Sequence, residues 1–207
     1  MSTQKPSESG QAPRTESDPD PMHGVLLHPY QDDWPQRFIE TRKWLRRVAP
    51  PEATIHHIGS TAVPGLAGKD VIDIQISVDT LDQVEPDDWL ELGFQYRAGL
   101  SDHMPPGRQL PEEELVKYLF CYQNPRINVH IRERGRFNQR FALLNRDYLR
   151  SHQDVAAAYG AFKAELADHF PDDATSYSRI KDPVFDIMMG AANHWAKETG
   201  WQEPPED

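Results

Sequence analysis

The sequence predicts an α+β domain: a mixed β-sheet packed with helices, and a helical C-terminal third. Three observations carry that expectation. Val71–Val78 and Ile127–Arg132 alternate apolar and polar residues with the two-residue period of a strand buried on one face. From Phe137 onward apolar residues recur at helical spacing. The 207 residues, 38% hydrophobic and 27% charged, fit one water-soluble domain with its own core.

Residues 1–22 carry almost no apolar side chain and cannot bury enough surface to offset ordering entropy, so a disordered tail is expected there. The domain proper should run over 23–200, followed by a flexible tail over 201–207. From Asp33 to Val48, the residues Trp34, Phe38, Leu45 and Val48 recur at roughly helical spacing, and Pro50-Pro51 ends the helix. Thr54–Ile58 reads as a short strand running into Gly59-Ser60-Thr61. In Val71–Val78 the side chains of Ile72, Ile74, Ile76 and Val78 share the core face, while Asp73, Gln75 and Ser77 share the other. Trp89–Phe94 suggests a helix end leading into a strand, and the prolines of 99–113 indicate a loop lying over the site. Strands near Lys117–Cys121 and Ile127–Arg132 follow, then helices over Phe137–His152, Asp154–Asp168 and Pro183–Lys197.

No window approaches eighteen apolar residues, so no membrane-spanning helix is expected. With Cys121 as the single cysteine there is no internal disulfide and no four-thiolate zinc site, which fits a reducing cytoplasm. A formal net charge of −11 draws in neither a nucleic acid polymer nor an anionic membrane. A small phosphorylated ligand is easier to accommodate, because a few amides and cations can hold it in a pocket.

Two features invite that chemistry. Gly59 lets the chain turn sharply and brings N–H groups close to an anion, with the Ser60 and Thr61 hydroxyls beside them; an ordinary strand-to-helix turn has the same composition. Asp73 projects from the polar face of the next strand. A carboxylate there can hold Mg²⁺ against phosphates, or it can pair with a lysine.

The run His57-Ile58-Gly59-Ser60-Thr61-Ala62-Val63-Pro64-Gly65-Leu66-Ala67-Gly68-Lys69, continuing to Ile72-Asp73-Ile74, resembles the signature of the GrpB family. The likeness continues through Asn128-Val129-His130-Ile131, Asn145–Arg150, Tyr159 with Lys163, and Tyr177 with Lys181, covering about residues 25–197. It implies a fold of the nucleotidyltransferase-like kind, related to DNA polymerase beta, in which a Gly-Ser turn holds a triphosphate and three strand carboxylates hold two metal ions. Asp73 matches the first carboxylate, but Gln75 stands at the second and His130 at the third, so the residues depart from the two-metal pattern.

The function so implied is binding of a nucleotide or another phosphorylated small molecule, with Mg²⁺-dependent nucleotidyl transfer to a small acceptor as its catalytic form. Asp73 would hold Mg²⁺; Asp73 and His130 would be the catalytic pair. His57, Gly59, Ser60, Thr61, Lys69, Gln75, Asn128, Lys163 and Lys181 would contact the ligand. For His57 and His130 two readings stand: a metal ligand or general base, and a hydrogen-bonding histidine that orients Asp73 or the turn. The rival function is a non-catalytic accessory domain with a protein partner, such as a helper of a coenzyme A biosynthesis kinase.

Overall fold

The computed structural model describes residues 24–207; the segment 1–22, expected to be disordered, lies outside them. Its sheet is built from β1 (Thr54–Ile58), β2 (Ile72–Val78), β3 (Gln95–Tyr96), β4 (Tyr118–Gln123) and β5 (Arg126–Glu133). The spatial order is β1-β2-β5-β4-β3. β2 and β5 run parallel and every other pair antiparallel, so the sheet is mixed.

Alternation sorts the side chains. Ile72, Ile74 and Ile76 meet Ile127, Val129 and Ile131 across the parallel pair, while Asp73, Gln75 and Ser77 meet Asn128, His130 and Arg132. The apolar face is covered by α1 (Trp34–Leu45) and α2 (Pro86–Glu91), which insert Trp34, Phe38, Leu45 and Trp89 into the main core. Ile74, Ile76, Val129 and Ile131 are fully buried there, each contributing roughly 1.5–3 kcal/mol by leaving water.

α3 (Phe137–Ser151) packs on the polar face, and α4 (Gln153–His169) and α5 (Ala174–Thr199) pack against α3; the three make up the helical final third. Here α5 departs from expectation. It begins at Ala174, where the Asp173 carboxylate accepts the Ser176 N–H at 2.9 Å, and Pro183 sits inside the helix instead of opening it. A proline ordinarily marks the first helical turn, and that preference hid the nine residues before it. α1 is also shorter than expected, ending at Leu45 in turn structure ahead of Pro50.

The C-terminal residues, expected to form a flexible tail, lie along the open edge of β1. A Glu206 carboxylate oxygen accepts the Ile55 N–H at 3.0 Å, and Asp207 accepts the His57 N–H at 2.9 Å and an Arg146 N–H at 2.6 Å. These carboxylates occupy amides that an edge strand otherwise presents unpaired. Among the described residues no helix is long and apolar enough to cross a membrane.

Candidate functional site

At the end of β1 the chain turns through Gly59, at φ 72° and ψ −170°, into a short 3-10 turn over Ser60–Ala62. That backbone region is essentially restricted to glycine. Space demands glycine as well, since a Cβ here would lie 2.5 Å from Asp73 Oδ2. The Asp73 carboxylate therefore rests directly against the turn. Within the turn the Ala62 N–H bonds to the Gly59 carbonyl and the Val63 N–H to the Ser60 carbonyl.

A cavity of about 380 Å³ opens over this place, a size suited to a small organic ligand. Gly59, Ser60, Thr61, Lys69 and Asp73 line it from the turn and the start of β2, Asn128 and His130 from β5, and Lys163 and Lys181 from α4 and α5. The turn thus meets cations supplied by two helices more than a hundred residues away in sequence. Asn128 donates to Asp73 Oδ1 at 3.0 Å. Lys163, buried at 2% exposure, donates to Ser60 Oγ at 2.7 Å and to the Ala67 carbonyl, with its Nζ 4.7 Å from the Tyr159 ring centroid. Lys69 Nζ lies 4.8 Å from the Tyr177 ring and Lys181 Nζ 5.0 Å from the Phe185 ring. Lys181 also pairs with Asp182 at 3.0 Å.

The charge balance at this end is positive. Burial, with Lys181 and Arg126 nearby, pushes the Lys69 ammonium down to about 8. Burial and Lys181 push Lys163 down to about 7. Burial raises the Asp73 carboxyl, opposed by the Asn128 hydrogen bond and by the positive charges of Lys181, Lys69 and Arg126.

Two of the expected ligand contacts lie outside the cavity. His57 is on the apolar face, because alternation along β1 puts it with Ile55; its ring stacks on Phe38 at 4.9 Å. Its Nε2 donates to Thr61 Oγ1 at 2.9 Å, and that hydroxyl donates to the Val71 carbonyl. Burial holds this imidazole down to about 3, so it is neutral and braces the turn from behind. Gln75 is on the polar face but fully engaged beneath α3. Its Oε1 accepts from Arg132 at 2.8 Å and its Nε2 donates to the Gln139 carbonyl at 3.1 Å.

His130 lines the cavity, yet its Nδ1 lies 3.3 Å from Lys117 Nζ. An ammonium only donates, so Nδ1 is the acceptor and the ring hydrogen sits on Nε2. Burial, Lys117 and Arg132 lower this histidine well below its ordinary value. The imidazole is therefore neutral. Asp102 compensates the cations behind it, taking Arg132 in a bidentate pair at 2.8 Å and Lys117 at 2.9 Å. The 99–113 segment, expected to lie over the site, contributes Leu100, Asp102 and His103 as a wall of the cavity; the prolines marked the loop, but no local pattern singled out these three side chains.

The donors decide whether Mg²⁺ suits this place. The ion takes six oxygens in near-octahedral geometry. Asp73 is the carboxylate at the turn, Asn128 already occupies its Oδ1, and its charged surroundings are Lys69, Lys181 and Arg126. Among the described residues no group of three or more His, Cys, Asp or Glu is placed to hold a metal. This donor set does not fit a resident divalent cation. It fits an anion.

Known proteins share this arrangement of sequence and fold. A family model described as GrpB protein matches residues 24–190. The chain is 32% identical over 181 residues to the UPF0157 protein YqkA of Bacillus subtilis (strain 168), covering 86% of this chain and 50% of that protein. It is 32% identical over 198 residues to a protein named dephospho-CoA kinase from Mycolicibacterium paratuberculosis, covering 86% of this chain and 48% of that one. It thus spans about half the length of these two relatives. A crystal structure of the conserved protein GrpB from Enterococcus faecalis superimposes with a TM-score of 0.67 at 26% identity, over 82% of this chain and 99% of that chain. With the match running from the first described residue into α5, this chain belongs to the GrpB family.

Proposed function

We propose that this protein binds a phosphorylated small molecule, of the nucleotide class, and that lysine side chains supply the charge complementary to its phosphate. One observation carries the reading: Lys69, Lys163 and Lys181 line the cavity at the Gly59–Ser60 turn against two carboxylates, Asp73 at the turn and Asp182 paired with Lys181. Burial, and then the neighbouring positive charge, pushes Lys69 and Lys163 toward neutrality, and a seated anion opposes that push by favouring their protonated forms. Ser60 and the turn amides donate to the phosphate, the lysine ammonium groups balance its charge, and Asn128 donates from the strand side.

A binding role without catalysis has a specific observation in its favour. Gln75 and His130, at the positions where the resemblance would place metal-binding acids, are held in hydrogen bonds with Arg132, Gln139 and Lys117. Nucleotidyl transfer would need those positions to contribute negative charge.

Calorimetric titration with ATP, GTP, CTP, UTP and the corresponding monophosphates, in EDTA and then in Mg²⁺, tests the reading. Binding is expected in EDTA, weakened about tenfold or more by Lys163→Met through loss of a charge-assisted hydrogen bond. Absence of binding in EDTA with full binding in Mg²⁺ would contradict it and return the site to metal-dependent chemistry.

A further inference from the structure

In the cavity a serine hydroxyl meets a buried amine. Ser60 Oγ lies 2.7 Å from Lys163 Nζ, and both side chains line the open space. Ser60 is half-buried, and Lys163, on α4, is buried. Two glycines hold Ser60 in place. The chain enters it through the turn at Gly59, and Gly68 packs on its other side, where an added Cβ would come 2.9 Å from Ser60 Cβ.

Lys163 is held as firmly. Its Nζ donates to the Ala67 carbonyl and stands 4.7 Å from the Tyr159 ring centroid. An ammonium has three donors and no acceptor, so in that form it donates to Ser60. The neutral amine keeps two N–H groups and gains a lone pair. It goes on donating to Ala67 while the lone pair accepts the Ser60 hydroxyl hydrogen across the same 2.7 Å. Burial, and then Lys181, favour the neutral form, and Asp73 opposes them. The other titratable groups lining the cavity around this pair are Lys69, ahead of β2, Tyr159 on α4 itself, and Tyr177 and Asp182 on α5. A hydroxyl in hydrogen-bond contact with an amine that sheds its proton readily is the arrangement of a nucleophile and its general base.

We propose that Ser60 is a nucleophile activated by Lys163, and that the cavity cleaves an acyl ester carrying an anionic group. The Ser60 hydroxyl proton passes to the neutral Lys163 Nζ as Oγ bonds to the carbonyl carbon. The tetrahedral oxyanion then collapses: the C–O bond to the alcohol breaks, and the alcohol leaves with the proton that Lys163 holds. Water repeats the sequence on the acyl-serine, releasing the acid and restoring the hydroxyl. Lys69 and Lys181 supply positive charge for the oxyanion and for the anionic group. The chemistry uses no metal and asks nothing of Gln75. It goes beyond anion binding while drawing on the same lysines.

The test is labelling by a fluorophosphonate, which captures an activated serine by losing fluoride as Oγ bonds to phosphorus. Wild type, Ser60→Ala, Lys163→Met and Lys163→Arg are each checked for cooperative melting, and labelled sites are located by mass spectrometry of digested peptides. Ser60 is expected to carry the label, at a rate that rises as pH passes through about 7 and then levels off. Both Lys163 variants should slow it about a hundredfold or more, since a general base contributes that much and arginine keeps the charge without giving up a proton. Absence of label on Ser60 in the folded wild type overturns the proposal. So does a rate that neither Lys163 variant changes, or one that climbs in proportion to hydroxide without levelling. The pH profile needs no variant and decides the matter if both variants fail to fold. A wild type that binds sulfate but takes no label leaves the anion-site reading standing and removes the nucleophile alone.

Discussion

Gly59 shows at the scale of one residue how tightly the site is built. Its dihedrals belong to the region that glycine alone occupies, and the space a Cβ would need is filled by the Asp73 carboxylate. Gly59→Ala should therefore cost on the order of 1–3 kcal/mol in backbone strain and push Asp73 off the turn. A melting curve and a nucleotide titration on one sample check this: both stability and affinity are expected to fall, and an unchanged affinity would detach Asp73 from the ligand site. The turn was legible from sequence because Gly-Ser-Thr after a strand is a local pattern. The placement of His57 was legible too, since period-two alternation with Ile55 assigns it to the core face. Motif membership concealed that signal. Gln75 was a different matter. Its alternation correctly puts it on the polar face, but its engagement with Arg132 and Gln139 depends on residues 57 and 64 positions away, which no local pattern records.

At the scale of elements, β2 and β5 were read well because each alternates cleanly, and their parallel pairing keeps Asp73 beside Asn128 and Gln75 beside His130. α5 was read from Pro183 onward, so the stretch that bears Tyr177 was missed as helix. The interior proline removes an N–H that would otherwise bond to the Arg179 carbonyl. Pro183→Ala should stabilise the protein by roughly 1–3 kcal/mol, the helix-interior penalty of proline less any adaptation already made. Urea denaturation measures this. A loss of stability would instead mean that the packing of Phe185 on Tyr159, with rings 5.2 Å apart, needs the helix in its proline-adapted shape. The docked C-terminal residues were misread because Pro and Glu composition resembles a solvated tail. What holds Glu206 and Asp207 is the edge of β1 together with Arg46 and Arg146, which the chain assembles only on folding.

For the molecule as a whole, a net charge of −11 surrounds a cavity whose turn-facing end is cationic. The excess acid discourages polyanions, and under the proposed function the recessed lysines keep an anion site for a small ligand. For Lys163, buried, and Lys69, half-buried, fold stability and anion binding make opposite demands on pH. Unfolded lysine stays protonated to near pH 10.4. With Lys163 at about 7 and Lys69 at about 8 in the fold, the unfolded chain binds more protons above pH 7, so these groups make the ligand-free protein more stable as pH rises from about 7 toward 10. Anion binding needs the protonated forms, present below 7 and lost as pH rises through 7 and 8. The most direct measurement is the affinity for sulfate, whose charge is constant over this range, titrated calorimetrically from pH 6 to pH 9 on the wild type and on Lys163→Met. Affinity should fall steadily with rising pH in the wild type, with a smaller fall from a weaker start in the variant. Affinity that is flat or rises with pH in the wild type would contradict a site organised around lysine charge.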